Sequence, residues 1–101
     1  MVSKKHKIVW SSFAIKDFRK AIQYISKDSK ANSVKVRKDI YKAVGELYEN
    51  PTRYPADKYR VDNDTNYRAF ELHHFRISYL ITDSEIQIIR FRHTGRQPVG
   101  Y

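Results

Sequence analysis

The residues best suited to chemistry in this chain are seven arginines that all follow residue 43: Arg53, Arg60, Arg68, Arg76, Arg90, Arg92 and Arg96. A guanidinium is a planar fork that grips phosphate or carboxylate through two parallel hydrogen bonds. Arg76 and Arg96 are candidates to stabilise charge on a phosphate. His93, three residues before Arg96, belongs to the side-chain type that moves protons near neutral pH. A structural alternative stands beside each: Arg76 pairs with Glu71 across a hairpin, and His93 merely ends a strand. His73 and His74 sit at an expected turn and point to opposite sides of any strand, so they do not easily share one metal ion. The chain has no Cys and no carboxylate at ligand spacing, so no metal and no cofactor are expected.

The elements that must position these groups come from a chain of 101 residues with 20 Lys+Arg, 11 Asp+Glu and no Cys. That length suits a single domain, since domains usually hold roughly 100–150 residues. A hydrophobic fraction of 41% excludes a disordered basic tail. The absence of Cys excludes disulfides, thiolate metal clusters and thiol nucleophiles. A net charge of +9 points to a polyanionic partner, and its distribution narrows the choice. Residues 1–42 carry twelve Lys/Arg, ten of them Lys, against three Asp/Glu; the remainder is neutral and rich in Arg. Lysine suits a solvated helix face, so an acidic protein is the expected counterpart of the bulk charge. The basic start Met1–Lys7 leads into Ser11, Ser12 and then charged residues, with no signal-peptide pattern. No apolar run approaches the roughly 20 residues of a membrane span, so a cytoplasmic location is expected.

Lys7–Trp10 reads as a strand, and Ser11-Ser12 as the cap of a helix. Ile15, Phe18, Ile22 and Ile25 form one apolar stripe, opposite Lys16, Lys20 and Lys27. A polar break over Lys27–Ser33, with Asn32 and Ser33 as caps, precedes a second helix. That helix has Val36, Ile40, Ala43, Val44 and Leu47 on one face and stops at Asn50-Pro51. Together the two form an antiparallel helical hairpin. A loop over 51–66 leads to strands Tyr67–Leu72, Phe75–Thr82 and Glu85–His93 in an antiparallel meander.

With His73-His74 and Asp83-Ser84 as turns, the register pairs Phe70 with Ile77 and Glu71 with Arg76. It also pairs Ile77 with Arg90 and Arg76 with Phe91. One sheet face then holds Phe70, Leu72, Phe75, Ile77, Tyr79, Ile81, Ile86 and Ile88 and should cover the helices. The other holds Ala69, Glu71, Arg76, Ser78, Gln87, Ile89, Phe91 and His93. Arg90 and Arg92 fall on the core face, so either they snorkel past the edge or the register differs.

Tyr67-Arg68-Ala-Phe-Glu-Leu, Phe75-Arg76-Ile-Ser-Tyr79 and Ile88-Ile-Arg90-Phe-Arg92-His93-Thr-Gly-Arg96 together resemble the RelE/ParE superfamily of bacterial toxins. The resemblance extends over nearly the whole chain, and its length, helical hairpin and His-Thr-Gly-Arg-Gln-Pro ending look more ParE-like than RelE-like. It implies an α+β fold: an N-terminal strand and an antiparallel helical hairpin packed on a C-terminal antiparallel sheet, in one domain over 1–101. It also implies a type II toxin neutralised by a cognate antitoxin, which here would be acidic. ParE-like members poison DNA gyrase, whereas RelE-like members cleave mRNA on the ribosome. A third possibility is a non-toxic module that represses its operon together with the antitoxin, with operator DNA bound only through that complex.

If the chain is RelE-like, the resemblance implies a metal-independent endoribonuclease with Arg76, His93, Arg96 and Tyr101 as catalytic residues. The usual Lys-x-Lys is here Arg68-Ala69-Phe70, and the spacing from Arg96 to Tyr101 is one residue short. Arg68, Arg76, Arg90, Arg92 and Arg96 are the candidates for binding a target or its phosphates.

Overall fold

The computed structural model of the chain describes residues 6–95, so Arg96 and Tyr101 lie outside the described residues. Strand β1 (Lys7–Trp10) leads into helices α1 (Ser12–Asp28) and α2 (Lys30–Gly45), and a 3-10 turn at Glu46–Tyr48 closes the helical part. After a long loop come β2 (Tyr67–Leu72), β3 (Phe75–Ile81) and β4 (Glu85–His93). The expected order of elements is present.

Ser11 starts α1 by accepting a hydrogen bond from the Ala14 N–H at 3.1 Å, a cap typically worth about 1 kcal/mol. The break between the helices is a single residue, not the expected Lys27–Ser33 segment. Ser29 ends α1 through its N–H to the Ile25 carbonyl and caps α2 by accepting from the Asn32 N–H. Asn32 and Ser33, expected as caps, lie inside α2, where buried Ser33 returns its hydroxyl to the Lys30 carbonyl at 2.7 Å.

The four strands form one sheet in the order β1-β4-β3-β2. The meander β2-β3-β4 is antiparallel, and β1 adds to its edge parallel to β4, which makes the whole sheet mixed. The helices provide the crossover that a parallel pair requires. Ala14 and Phe18 of α1 and Val36, Ile40 and Val44 of α2 form a core with Phe70, Phe75, Ile77, Tyr79, Ile86, Ile88 and Phe91. Phe18 sits at its centre, 5.2 Å by ring centroid from each of Trp10, Tyr41 and Phe91.

The β2-β3 register is the expected one, with Phe70 opposite Ile77 and Glu71 opposite Arg76. The β3-β4 register is not. It follows expectation from Ile81↔Ile86 to Tyr79↔Ile88, then shifts by one residue, so that Ser78 faces Arg90 and Arg76 faces Arg92. Ile89 is the extra residue of a β-bulge, and the Ser11 hydroxyl reaches its carbonyl at 3.4 Å. The expected pairs Ile77–Arg90 and Arg76–Phe91 are therefore wrong. Beyond the bulge every side chain changes face. Phe91 packs into the core, stacked on Phe75 at 4.8 Å, and Arg90 and Arg92 turn to the face away from the helices.

The loop after α2 runs along the open edge of β2. Ala56 bridges to Arg68, the Asp57 N–H donates to the Tyr67 carbonyl at 2.7 Å, and Tyr54 stacks on Phe70 at 4.4 Å. The loop thus occupies the β2 edge over Tyr67–Ala69, where pairing with another chain is blocked.

Candidate functional site

The outer sheet face collects Arg76 from β3 and Arg90 and Arg92 from β4 because the bulge at Ile89 re-aims the last two. Like charges directly opposite each other, as at Arg76↔Arg92, repel and need compensation. The structure supplies it on one side only. Arg76 donates from Nη2 to Asp57 Oδ1 at 2.8 Å and from Nη1 to Glu71 Oε2 at 3.1 Å. Its guanidinium also lies over the Tyr59 ring, 4.7 Å from the centroid. Burial alone would lower the Arg76 pKa; hydrogen bonds and charge from Asp57 and Glu71 outweigh it and raise the pKa above its ordinary value. Arg92 has no carboxylate partner among the described residues.

Asp57 is the residue that sequence reasoning missed. Its side chain is completely buried, and besides Arg76 it accepts the Tyr59 N–H at 3.1 Å. A buried carboxylate is tolerated only when paired, so its dependence on Arg76 is strong. Nothing in the spacing announced the pair, because the two residues are 19 apart and joined through a loop.

Arg68 lies away from this group. Its Nη1 donates to the carbonyls of Tyr54 at 2.6 Å and Thr52 at 3.4 Å, so it holds the loop against β2. His93 lies on the opposite sheet face from Arg76, a correction to the face expected for it. It stands opposite Phe75 with its ring edge-on at 5.6 Å. Its Nδ1 accepts the Gly95 N–H at 3.0 Å, and a backbone amide can only donate. A Cβ at position 95 would sit 2.9 Å from that nitrogen, so a larger residue there would push the exposed imidazole aside.

Behind the sheet a groove of about 620 Å³ separates α1 from the end of β4, with Lys20, Tyr24, Phe75, Phe91 and His93 among its walls. His73 and His74 occupy the two central positions of the β2-β3 turn, both at positive φ (53° and 66°), as a tight hairpin turn demands. His73 Nε2 meets Asp39 Oδ2 of α2 at 2.7 Å, and this hydrogen bond holds the Asp39 carboxyl below its ordinary value despite partial desolvation. No group of three or more His, Cys, Asp or Glu able to hold a metal occurs among the described residues.

On the outer face Arg76 is engaged with two carboxylates, Arg92 has no carboxylate partner among the described residues, and His93 is on the other side. Among the described residues no helix is long and apolar enough to cross a membrane.

Three solved structures share the fold. A protein of the chromosomal ParDE toxin–antitoxin system from P. aeruginosa superposes with a TM-score of 0.69 at 20% identity, covering 90% of this chain and 98% of that one. The YoeB dimer of Staphylococcus aureus gives 0.57 at 21% identity, covering 88% and 97%. A YoeB/ParE toxin from Agrobacterium tumefaciens gives 0.52 at 16% identity, covering 86% and 96%. No curated protein sequence gives a significant match. The family model for the ParE toxin of the type II toxin–antitoxin system parDE matches residues 8–98. With nearly its whole length accounted for by that model, the chain belongs to the ParE toxin family, within the RelE/ParE superfamily.

Proposed function

We propose that the chain is a toxin that stops growth by binding its target and not by cutting RNA, with DNA gyrase as the target implied by its ParE character. The observation that carries this reading is the engagement of Arg76. Both of its terminal nitrogens are held by Asp57 and Glu71, and His93 stands on the other face of the sheet. Cleavage without a metal needs a base, an acid and free cations around one phosphate. Arg76 and His93, two of the residues matched to that set, are separated by the thickness of the sheet. Arg92, without a carboxylate partner among the described residues, instead gives the outer face a cation suited to docking.

An acidic antitoxin is the proposed neutralising partner, attracted to the lysines of α1 and α2, and operator DNA is bound only through that complex. Induction of the full chain tests the reading. Growth arrest with an SOS response and gyrase-linked DNA breaks is the expected result. Rapid loss of translated mRNA with codon-specific 5′ ends overturns it in favour of a ribosome-dependent endonuclease. Unimpaired growth overturns it in favour of a regulatory module.

A further inference from the structure

Arg76 is the position at which the family resemblance places a phosphate-binding catalytic arginine, yet its surroundings are those of an internal strut. Its side chain is 17% exposed, and both ends of the guanidinium fork are committed. Asp57, on the other end of the strut, organises the turn that follows it. Its carboxylate accepts the Tyr59 N–H at 3.1 Å, and its carbonyl accepts the Arg60 N–H at 3.2 Å and Asn63 Nδ2 at 3.3 Å. The turn is then pinned a second time. Arg60 lies over the Tyr67 ring at 3.9 Å and donates from Nη2 to the Tyr67 hydroxyl at 3.1 Å.

Tyr67 and Glu71 alternate onto the same outer face of β2 as Arg76 does on β3. The segment 57–60 is thus laid across the half of the outer face that Arg90 and Arg92 leave open. A phosphate entering at Arg76 would have to displace Asp57 and break its 2.8 Å ion pair with that buried carboxylate.

We propose that Asp57 and Arg76 are positioning residues that hold the Lys58–Tyr59–Arg60 turn on the outer sheet face, so that Arg76 acts through this turn and does not touch the target. The functional part rests on the outer face being the target-binding face, as proposed above. The latch itself does not.

The test compares Asp57→Asn, Arg76→Gln, Arg76→Lys and the double variant D57N/R76Q in the full chain. Two measurements are made: hydrogen exchange at the Tyr59 and Arg60 amides, and inhibition of DNA supercoiling by purified gyrase. Asp57→Asn and Arg76→Gln should each speed exchange at the two amides by about tenfold or more while β3 and β4 stay protected. Each should weaken inhibition by a similar factor, and the double variant should be no worse than either alone, because the pair acts as a unit. Arg76→Lys, which keeps the cation, should restore both measurements most of the way.

Loss of inhibition in Arg76→Gln with full activity in Asp57→Asn overturns the proposal, because it makes Arg76 a direct contact. Unchanged exchange in both variants overturns it as well. Should Asp57→Asn fail to fold, the contrast between Arg76→Gln and Arg76→Lys decides, with lost protection in both counting against a cationic latch. If the unaltered chain leaves gyrase untouched, the proposed target falls. The same comparison is then read from growth arrest on induction, which requires no knowledge of the target.

Discussion

Tyr79 shows how far one residue ties the loop to the sheet. Its ring is fully buried in the core, and its hydroxyl donates to the Pro51 carbonyl at 2.8 Å. Desolvation pushes the phenol pKa from 10.0 up to about 12. The folded chain therefore holds this proton more tightly than the unfolded chain does. Stability from this source is complete below pH 10 and is lost as pH rises from 10 toward 12, to an extent of at most about 2–3 kcal/mol. Tyr79→Phe removes the hydrogen bond and should cost about 1 kcal/mol at pH 7. Because Phe does not titrate, that deficit should narrow above pH 10 and then reverse in urea melts of the two proteins. A deficit that stays constant across the window would sink the assignment. Arg76 is held in a comparable way, by Asp57 of the loop and Glu71 of β2 together.

The bulge in β4 is the element on which the candidate site depends. Were Ile89 taken into a regular ladder opposite Ser78 instead of bulging, Arg90 and Arg92 would turn to the core face and Phe91 would be expelled. Exposing Phe91 alone forfeits about 2–3 kcal/mol, and burying two unpaired cations adds more. Deletion of Ile89 removes only the surplus residue and leaves Arg90 opposite Ser78 and Phe91 opposite Ile77, so it should keep a cooperative thermal transition by circular dichroism, and Ile89→Val should melt within a few degrees of the parent. Loss of the cooperative transition in the deletion would show that Ile89 is more than a surplus residue in the ladder. The strands and helices themselves were legible, because alternation and the 3.6-residue stripe act on every residue of an element at once. The bulge was not, since it adds one residue and leaves the pattern intact on either side. Its trace in the sequence is the adjacent pair Ile88-Ile89, followed by an aromatic flanked by two arginines. The Ser29 break was misplaced because Ser29, Asn32 and Ser33 are all good caps, and only packing selects among them. Asp57 left no trace, since a polar loop hides which of its three aspartates is buried, namely Asp57 and not Asp62 or Asp64.

At the scale of the whole molecule, charge and chemistry occupy different parts of the chain. The net charge of +9 resides before residue 43, most of it on α1 and α2 and the rest in Lys4, Lys5 and Lys7, while the arginines of the outer face belong to a half whose charges cancel. Lys16, Lys20 and Lys27 are exposed on α1 beside two large exposed aromatics, Phe13 at 78% and Tyr24 at 73%. Phe13 and Tyr24 are eleven residues apart, three helical turns, so they share one face. Such a surface should work in two stages. Long-range attraction brings an acidic antitoxin in, and burial of the aromatics then keeps it. Replacing Lys16, Lys20 and Lys27 by Gln should slow association by about tenfold at low salt and flatten its salt dependence, with little change in dissociation. Phe13→Ala with Tyr24→Ala should do the reverse, speeding dissociation while association stays nearly as fast. Stopped-flow and surface-binding kinetics on the complex separate the two stages. An association rate indifferent to salt in the unaltered chain would remove the lysines from recognition, and would return the excess charge to a simple role in solubility.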